Sequence, residues 1–230
     1  NGKTYYISAT ASGSGNGLSE GNPWTLEQLL ANSTNETNIP SGSQILFKRD
    51  HTFNFAGDWS IKFLTRNYPY ITIGAYGSGI NPVIEAGTVS TIDAAVGKGI
   101  NLSDLNINGN IAIRPKFSGS VPFGWVSPGL QATIRNTNTK GIHVWGSKGV
   151  VIENTVVTGS TLQVDGHGTD SIEYLYFNKV DVSGATSHCV YLAGGGNNIL
   201  IENSKFHDCG IYGTDRDGIA THGRVNNYIV

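Results

Sequence analysis

The chain has 230 residues, a net charge of −2 and only 14% charged residues. It carries no basic run of the kind that tracks nucleic acid and no apolar run near the roughly 20 residues a membrane span requires. Gly reaches 31 residues, Asn, Ser and Thr are plentiful, and heptads or long Ala/Leu/Glu/Lys stretches are absent, which excludes a helical protein and points to a turn-rich all-β chain.

In chain order, Met is absent even at position 1, and "NGKTYYISATASG" lacks the apolar core of a signal peptide. This reads as a mature start and an exported, extracellular or cell-surface protein. "NPWTLEQLL" predicts a short amphipathic helix with Trp24, Leu26, Leu29 and Leu30 on its apolar side, within an opening cap of about residues 1–45. Sequons occur at Asn32, Asn35 and Asn101 and matter only in a host that glycosylates. "SQILFKRD" and "YPYITIGAYGSGINPVIEAG" read as strand-turn-strand, and "GINLSDLNINGN" repeats the theme without a defined register. Between Lys116 and Pro128 the pattern breaks into a loop carrying Phe117, Phe123 and Trp125. That loop is expected to pack on the side of the stack and border a groove.

The second half repeats. "VVIENTVVTG", "YLYFNKVDVSG" and "ILIENSKFHDCG" each run apolar–Asn–apolar–Gly, with Asn154, Asn178 and Asn203 spaced 24 and then 25 residues apart. This is about one coil of a parallel β-helix, and the three Asn are expected to stack as a ladder at one turn. "KGIHVW", "STLQVD", "HCVYLA" and "DGIATH" form a second series with strand alternation. Ile142, Leu162, Val190 and Ile219 then face inward, followed by Val144, Val164, Leu192 and Thr221. Residues 1–230 are read as one solenoid domain. "RVNNYIV" matches "GNNILI" and stops without a closing cap, so the expectation is that either the natural chain continues or a partner protects this end, end-to-end self-association being one form of the second. Cys189 and Cys209 either form a bridge, as export allows, or are two small buried residues.

"SGSQILFKRDHTF", then "ITIGAYGSGINPVI", then the Asn-bearing repeats resemble the bacterial right-handed parallel β-helix proteins of the pectate-lyase-like superfamily over nearly the whole chain. The resemblance implies an all-β, right-handed parallel β-helix with a short N-terminal capping helix. It does not choose among the lyases, hydrolases, epimerases, tailspikes and adhesins built on that fold. The Gly-His-Gly of "VDGHGTDS" resembles a fragment of the polygalacturonase signature. The paired aspartates and Arg-X-Lys of that signature are not in order here, so the stretch holding His167 and Asp170 reads as a turn.

Aligning the coils makes columns of outward residues. One holds His143, Gln163, Tyr191 and Ala220, the next Trp145, Asp165, Ala193 and His222, and the corner Lys140, Ser160, His188 and Asp217. Aromatic faces that stack on sugar rings, mixed with polar tips, point to a polysaccharide groove. One expectation is a lyase acting on an acidic polysaccharide. His188, Tyr191 or His222 would serve as base or acid, Arg216, Lys140 or a calcium ion would neutralise the uronate, and Asp217 would orient His188. Lys140, His143, Trp145, Gln163, Asp165 and Trp125 would bind substrate. The other expectation is a non-catalytic glycan-binding, adhesin or filament-forming β-helix. Calcium is open to Asp165, Asp170, Asp215 or Asp217, although no calcium-loop spacing is present. His143, His188 and His222 fall in different coils and columns, which speaks against a transition-metal centre.

Overall fold

The computed structural model describes residues 2–33, 39–40, 42–63, 71–94, 99–116, 130–145, 147–165, 172–194, 196–210, 218–222 and 225–229. These residues form a parallel β-solenoid with one short helix, Leu26–Ser33. The strands lie on three faces. The first face begins with Thr4–Ile7 on Gln44–Lys48 and runs through Ile71–Tyr76, Gly99–Ser103 and Leu130–Arg135 to Val225–Ile229. The second begins at Thr52–Asn54 and ends at Lys205–His207. The third stacks Trp59–Phe63, Thr88–Ala94, Leu162–Asp165, Val190–Ala193 and Ile219–His222. Long strands such as Asn106–Lys116 and Asn138–Trp145 turn a corner and serve two faces.

Alternate residues of each strand point inward, and the parallel register lays them directly over one another. On the first face the inward column is Tyr5, Ile45, Ile73, Leu102, Ile134, Ile152, Phe177 and Ile201, each at most 4% exposed. The third face contributes Ile142, Leu162 and Val190, then Val144, Val164 and Leu192, all buried as the alternation predicts. Ile219 continues the first of these columns and packs partly buried against the core. Thr221, expected inward, is exposed. Its strand is the last one paired on this face among the described residues, so no further rung covers it.

The corner between the first and second faces is a polar ladder. Asp104, Asn136, Asn154, Lys179 and Asn203 all adopt left-handed backbone, with φ between 48° and 58°. Asn tolerates that region because its short amide bonds locally. Asn154 donates to the Asn136 side-chain oxygen at 2.8 Å, and Asn136 donates to Asp104 at 3.1 Å. The expected ladder is therefore present one residue out of step in its middle coil. Glu153 pairs with Asn178 and Thr155 with Val180, which leaves Lys179 at the corner. Asn178 lies beside it and accepts from Asn203 at 3.1 Å. The amides bond mainly to one another, not to the backbone as expected. Just past the corner, the Thr137, Thr155 and Ser204 hydroxyls each donate to the carbonyl two residues earlier, at 2.8, 2.9 and 2.8 Å.

The start of the stack is closed by aromatic packing. The helix begins at Leu26, not at Pro23 or Trp24, because Thr25 and Gln28 form a capping box: the Gln28 backbone N donates to Thr25 Oγ1 at 3.2 Å and the Thr25 backbone N donates to Gln28 Oε1 at 2.9 Å. Trp24 precedes the helix and stacks on Tyr5 at 4.5 Å. Leu29 is fully buried, and Trp59 Nε1 donates to Ser33 Oγ at 3.4 Å. Phe47, Phe53, Phe55 and Trp59 interlock beneath the helix.

Toward the other end, Cys189 and Cys209 form a disulfide that ties the end of the second face to the entry of the third. Close by, exposed His207 lies between Asp208 (2.7 Å) and Asp181 (3.0 Å) of the preceding coil.

Two outcomes follow. Asn154→Ala should lower stability by about 1–2 kcal/mol through lost amide bonding and left-handed strain. Lys179→Asn should raise it by up to about 1 kcal/mol. Urea unfolding midpoints that move the opposite way would contradict the corner register. The Asp208 and Asp181 carboxylates hold the His207 imidazole above its ordinary value of 6.5. The stabilisation from this contact is complete below that value and is lost as pH rises through the raised folded-state value. The Tm should therefore fall slightly above about pH 6.5, and His207→Gln should remove that step.

Candidate active site on the third face

The outward column of the third face runs Ser60, Ser90, Ala112, His143, Gln163, Tyr191 and Ala220 in continuous register. Its first rungs are bland: Ser60 and Ser90 bond each other at 2.9 Å. Residues able to move protons begin at His143 and end at Tyr191, with the small side chains of Ala112 and Ala220 on either side. Adjacent rungs are about 4.8 Å apart, so His143, Gln163 and Tyr191 span a length comparable to one or two sugar units.

His143 and Asp165 belong to neighbouring columns on neighbouring coils. The register pairs His143 with Gln163 and Trp145 with Asp165, so the imidazole reaches diagonally across one coil step. His143 Nε2 lies 2.7 Å from Asp165 Oδ2. Gln163 Nε2 donates to the same carboxylate, at 2.9 Å to Oδ1 and 3.1 Å to Oδ2. Both oxygens of Asp165 are thus engaged, as a carboxylate with a side chain only 10% exposed requires. The His143 side chain remains 24% exposed, and its ring lies against Trp145 with centroids 3.8 Å apart. A carboxylate only accepts hydrogen bonds. The neutral imidazole therefore carries its hydrogen on Nε2, leaving the Nδ1 lone pair for other work. This is the way a carboxylate orients a proton-accepting histidine.

The corner adds a second pair of rings. His188 stacks on Tyr191 with centroids 5.7 Å apart and an interplanar angle of 14°. Its backbone carbonyl accepts from Thr161 Oγ1 at 2.8 Å, and its position is held by the adjoining Cys189 bridge. His188 Nδ1 is shielded from solvent without a hydrogen-bond partner among the described residues.

The structure therefore gathers His143, Trp145, Gln163, Asp165, His188 and Tyr191 on one stretch of the third face. His222 stands in register with Ala193, the column predicted for it. Trp125, Arg216 and Asp217 lie outside the described residues, as do Phe117, Phe123, His167, Asp170 and Asp215. The proposed Asp217–His188 contact and the placement of the aromatic loop fall there too. Lys140, expected at the corner among the substrate-binding residues, lies at the edge of the second face. There it lines a groove with Asn106 and Asn138. The His143–Asp165 pairing was missed by reading each column separately. The diagonal offset between two columns, one coil apart, was the available signal. Among the described residues, no group of three or more His, Cys, Asp or Glu side chains converges in a way that would hold a metal ion.

Among the described residues, no helix is long and apolar enough to cross a membrane. No family model matches the chain, and no curated protein matches it. Among solved structures, the chain is similar to two of a GH136 lacto-N-biosidase from Eubacterium ramulus, at 13% and 12% identity with TM-scores of 0.40 and 0.37. Each match covers 97% of this chain and 56% of the other, so this chain spans a little over half the length of that enzyme. Likeness at this level carries no conclusion about activity or substrate.

Proposed function

We propose that this protein is a carbohydrate-active β-solenoid that cleaves an acidic polysaccharide by β-elimination on its third face. The observation that carries the reading is the 2.7 Å His143–Asp165 contact on an outward face, beside Trp145 and in one column with Tyr191. Trp145 offers an apolar ring for a sugar face. His143, oriented by Asp165, takes the proton from C5 of a uronate through Nδ1. As the C5–H bond breaks, its electrons form the C4=C5 double bond and the C4–O bond breaks. The Tyr191 hydroxyl supplies the proton to the departing oxygen, and the proton held by His143 restores the phenol between turnovers. No water is consumed. Charge developing on the uronate carboxylate needs a cation or strong donors, and Arg216 is the residue of the sequence suited to that task. The Cys189–Cys209 bridge supports an oxidising, extracellular setting.

One observation favours a non-catalytic reading. Both Asp165 oxygens are already engaged by His143 and Gln163, so the cluster also fastens two coils. The readings separate by experiment. With uronate polysaccharides as substrates, elimination is followed by the ultraviolet absorbance of the unsaturated product. His143→Ala and Tyr191→Phe should each lower turnover by about 100-fold or more while leaving the fold intact. Nitrogen NMR of the imidazoles should place the neutral His143 hydrogen on Nε2. Full turnover in both variants would leave this face a binding surface only.

A further inference from the structure

The second face carries a groove of its own, about 520 Å³, whose lining includes Val83, Asn106, Asn108, Asn138, Lys140 and Val156. Its long axis follows the stack. Val83, Asn106, Asn138 and Val156 occupy successive rungs of one outward column, so a pair of amides is flanked by apolar side chains. Val156 is 40% exposed, one of the few large apolar side chains left open to solvent among the described residues.

The groove is built, not incidental. Asn138 Nδ2 donates to Asn106 Oδ1 at 2.8 Å, Asn106 Nδ2 donates to the Asn81 carbonyl at 3.2 Å, and Asn108 Nδ2 donates to Glu85 Oε1 at 2.7 Å. Each amide has two N–H donors and an acceptor oxygen, so these bonds orient the side chains and leave capacity for a hydroxyl-rich ligand. Lys140 is placed by a β-bulge. The register shifts between Thr139 and Gly141, so that Asn108 and Gly109 together oppose Lys140. Gly109 is required there, since a Cβ would lie 1.8 Å from the Ala86 carbonyl oxygen. The buried Thr139 hydroxyl pins the bulge by donating to the Gly109 carbonyl at 2.8 Å. Among the described residues the lining holds one cation, Lys140, and no carboxylate; the nearby Glu85 carboxylate is engaged by Asn108.

We infer that this groove is a second, non-catalytic binding site for an acidic oligosaccharide. Amides would hold the hydroxyls, Val83 and Val156 would contact ring faces, and Lys140 would meet a uronate carboxylate. The ligand class rests on the elimination reading, but the site does not share its residues. The strand Asn138–Trp145 joins the two, carrying Asn138 and Lys140 on one face and His143 on the next. One rigid segment would thus link a holding site to the reacting site on a long chain, raising its local concentration.

The test follows the Asn106, Asn108 and Asn138 side-chain amide resonances of the full chain during titration with tetrasaccharides of galacturonate, mannuronate and guluronate, and with cellotetraose as the neutral control. At least one uronate should move them, and cellotetraose should not. Lys140→Ala, at an exposed position, and Asn138→Asp, which puts a negative charge in the groove, should each weaken that response about ten-fold or more. His143→Ala should leave it unchanged. Silence toward every uronate, an equal response to cellotetraose, or undiminished binding in both groove variants would overturn the inference. Amide shifts in a protein that shows no elimination would refute the catalytic reading alone.

Discussion

Parallel registration of the inward columns is the constraint on which the other features depend. No single coil buries enough apolar surface to hold its shape. Tyr5 through Ile201 on the first face, and Ile142 through Val190 on the third, become a core only when each rung lies over the last. A slip of one residue would turn the buried Ile and Val of these columns outward and His143, Gln163 and Tyr191 inward. The devices at the corners resist that slip. Left-handed Asn136 separates Leu130–Arg135 from Asn138–Trp145, left-handed Asn154 bends the strand Ser147–Thr158 at the same corner, and their amides join successive coils. The Cys189–Cys209 bridge does the same covalently farther along.

The site follows from that registration. A rigid stack converts sequence spacing into distance, so residues about twenty positions apart become neighbours. His143 and Asp165 meet because they occupy adjacent columns on adjacent rungs, and Gln163 completes the carboxylate's bonding from within its own strand. The same geometry lets one strand serve two faces. Gly141 is closely packed, since a Cβ there would lie 2.8 Å from Ser160 Cβ, and at this corner the strand passes from the groove lined by Lys140 to the face that carries His143.

Much of this was legible in the sequence, because strand alternation and coil length leave direct traces. The inward residues Ile142, Val144, Leu162, Val164, Val190 and Leu192, and the outward column from His143 to Tyr191, follow from period-2 reading alone. Three things were not legible. The corner position of Lys179 was hidden because the Asn next to it carries the familiar signal, while backbone geometry is set by the pairing of Glu153 with Asn178. The face occupied by Lys140 depends on the corner at Gly141, where Gly141 and Ile142 are both buried and the alternation on which the reading relies is broken. The His143–Asp165 contact is diagonal, and column-by-column alignment does not display diagonals. Trp24 shows the same limit at smaller scale: it is apolar at helical spacing, but the Thr25–Gln28 cap starts the helix after it.

The most direct measurement of the account is a double-mutant cycle on turnover of a uronate polysaccharide, using His143→Ala, Asp165→Asn and the two combined. If Asp165 acts by orienting His143, its substitution costs activity only while the histidine is present, and the double variant is no slower than His143→Ala alone. If the two losses multiply, Asp165 and His143 act independently, and the paired proton-transfer unit proposed for the third face is wrong.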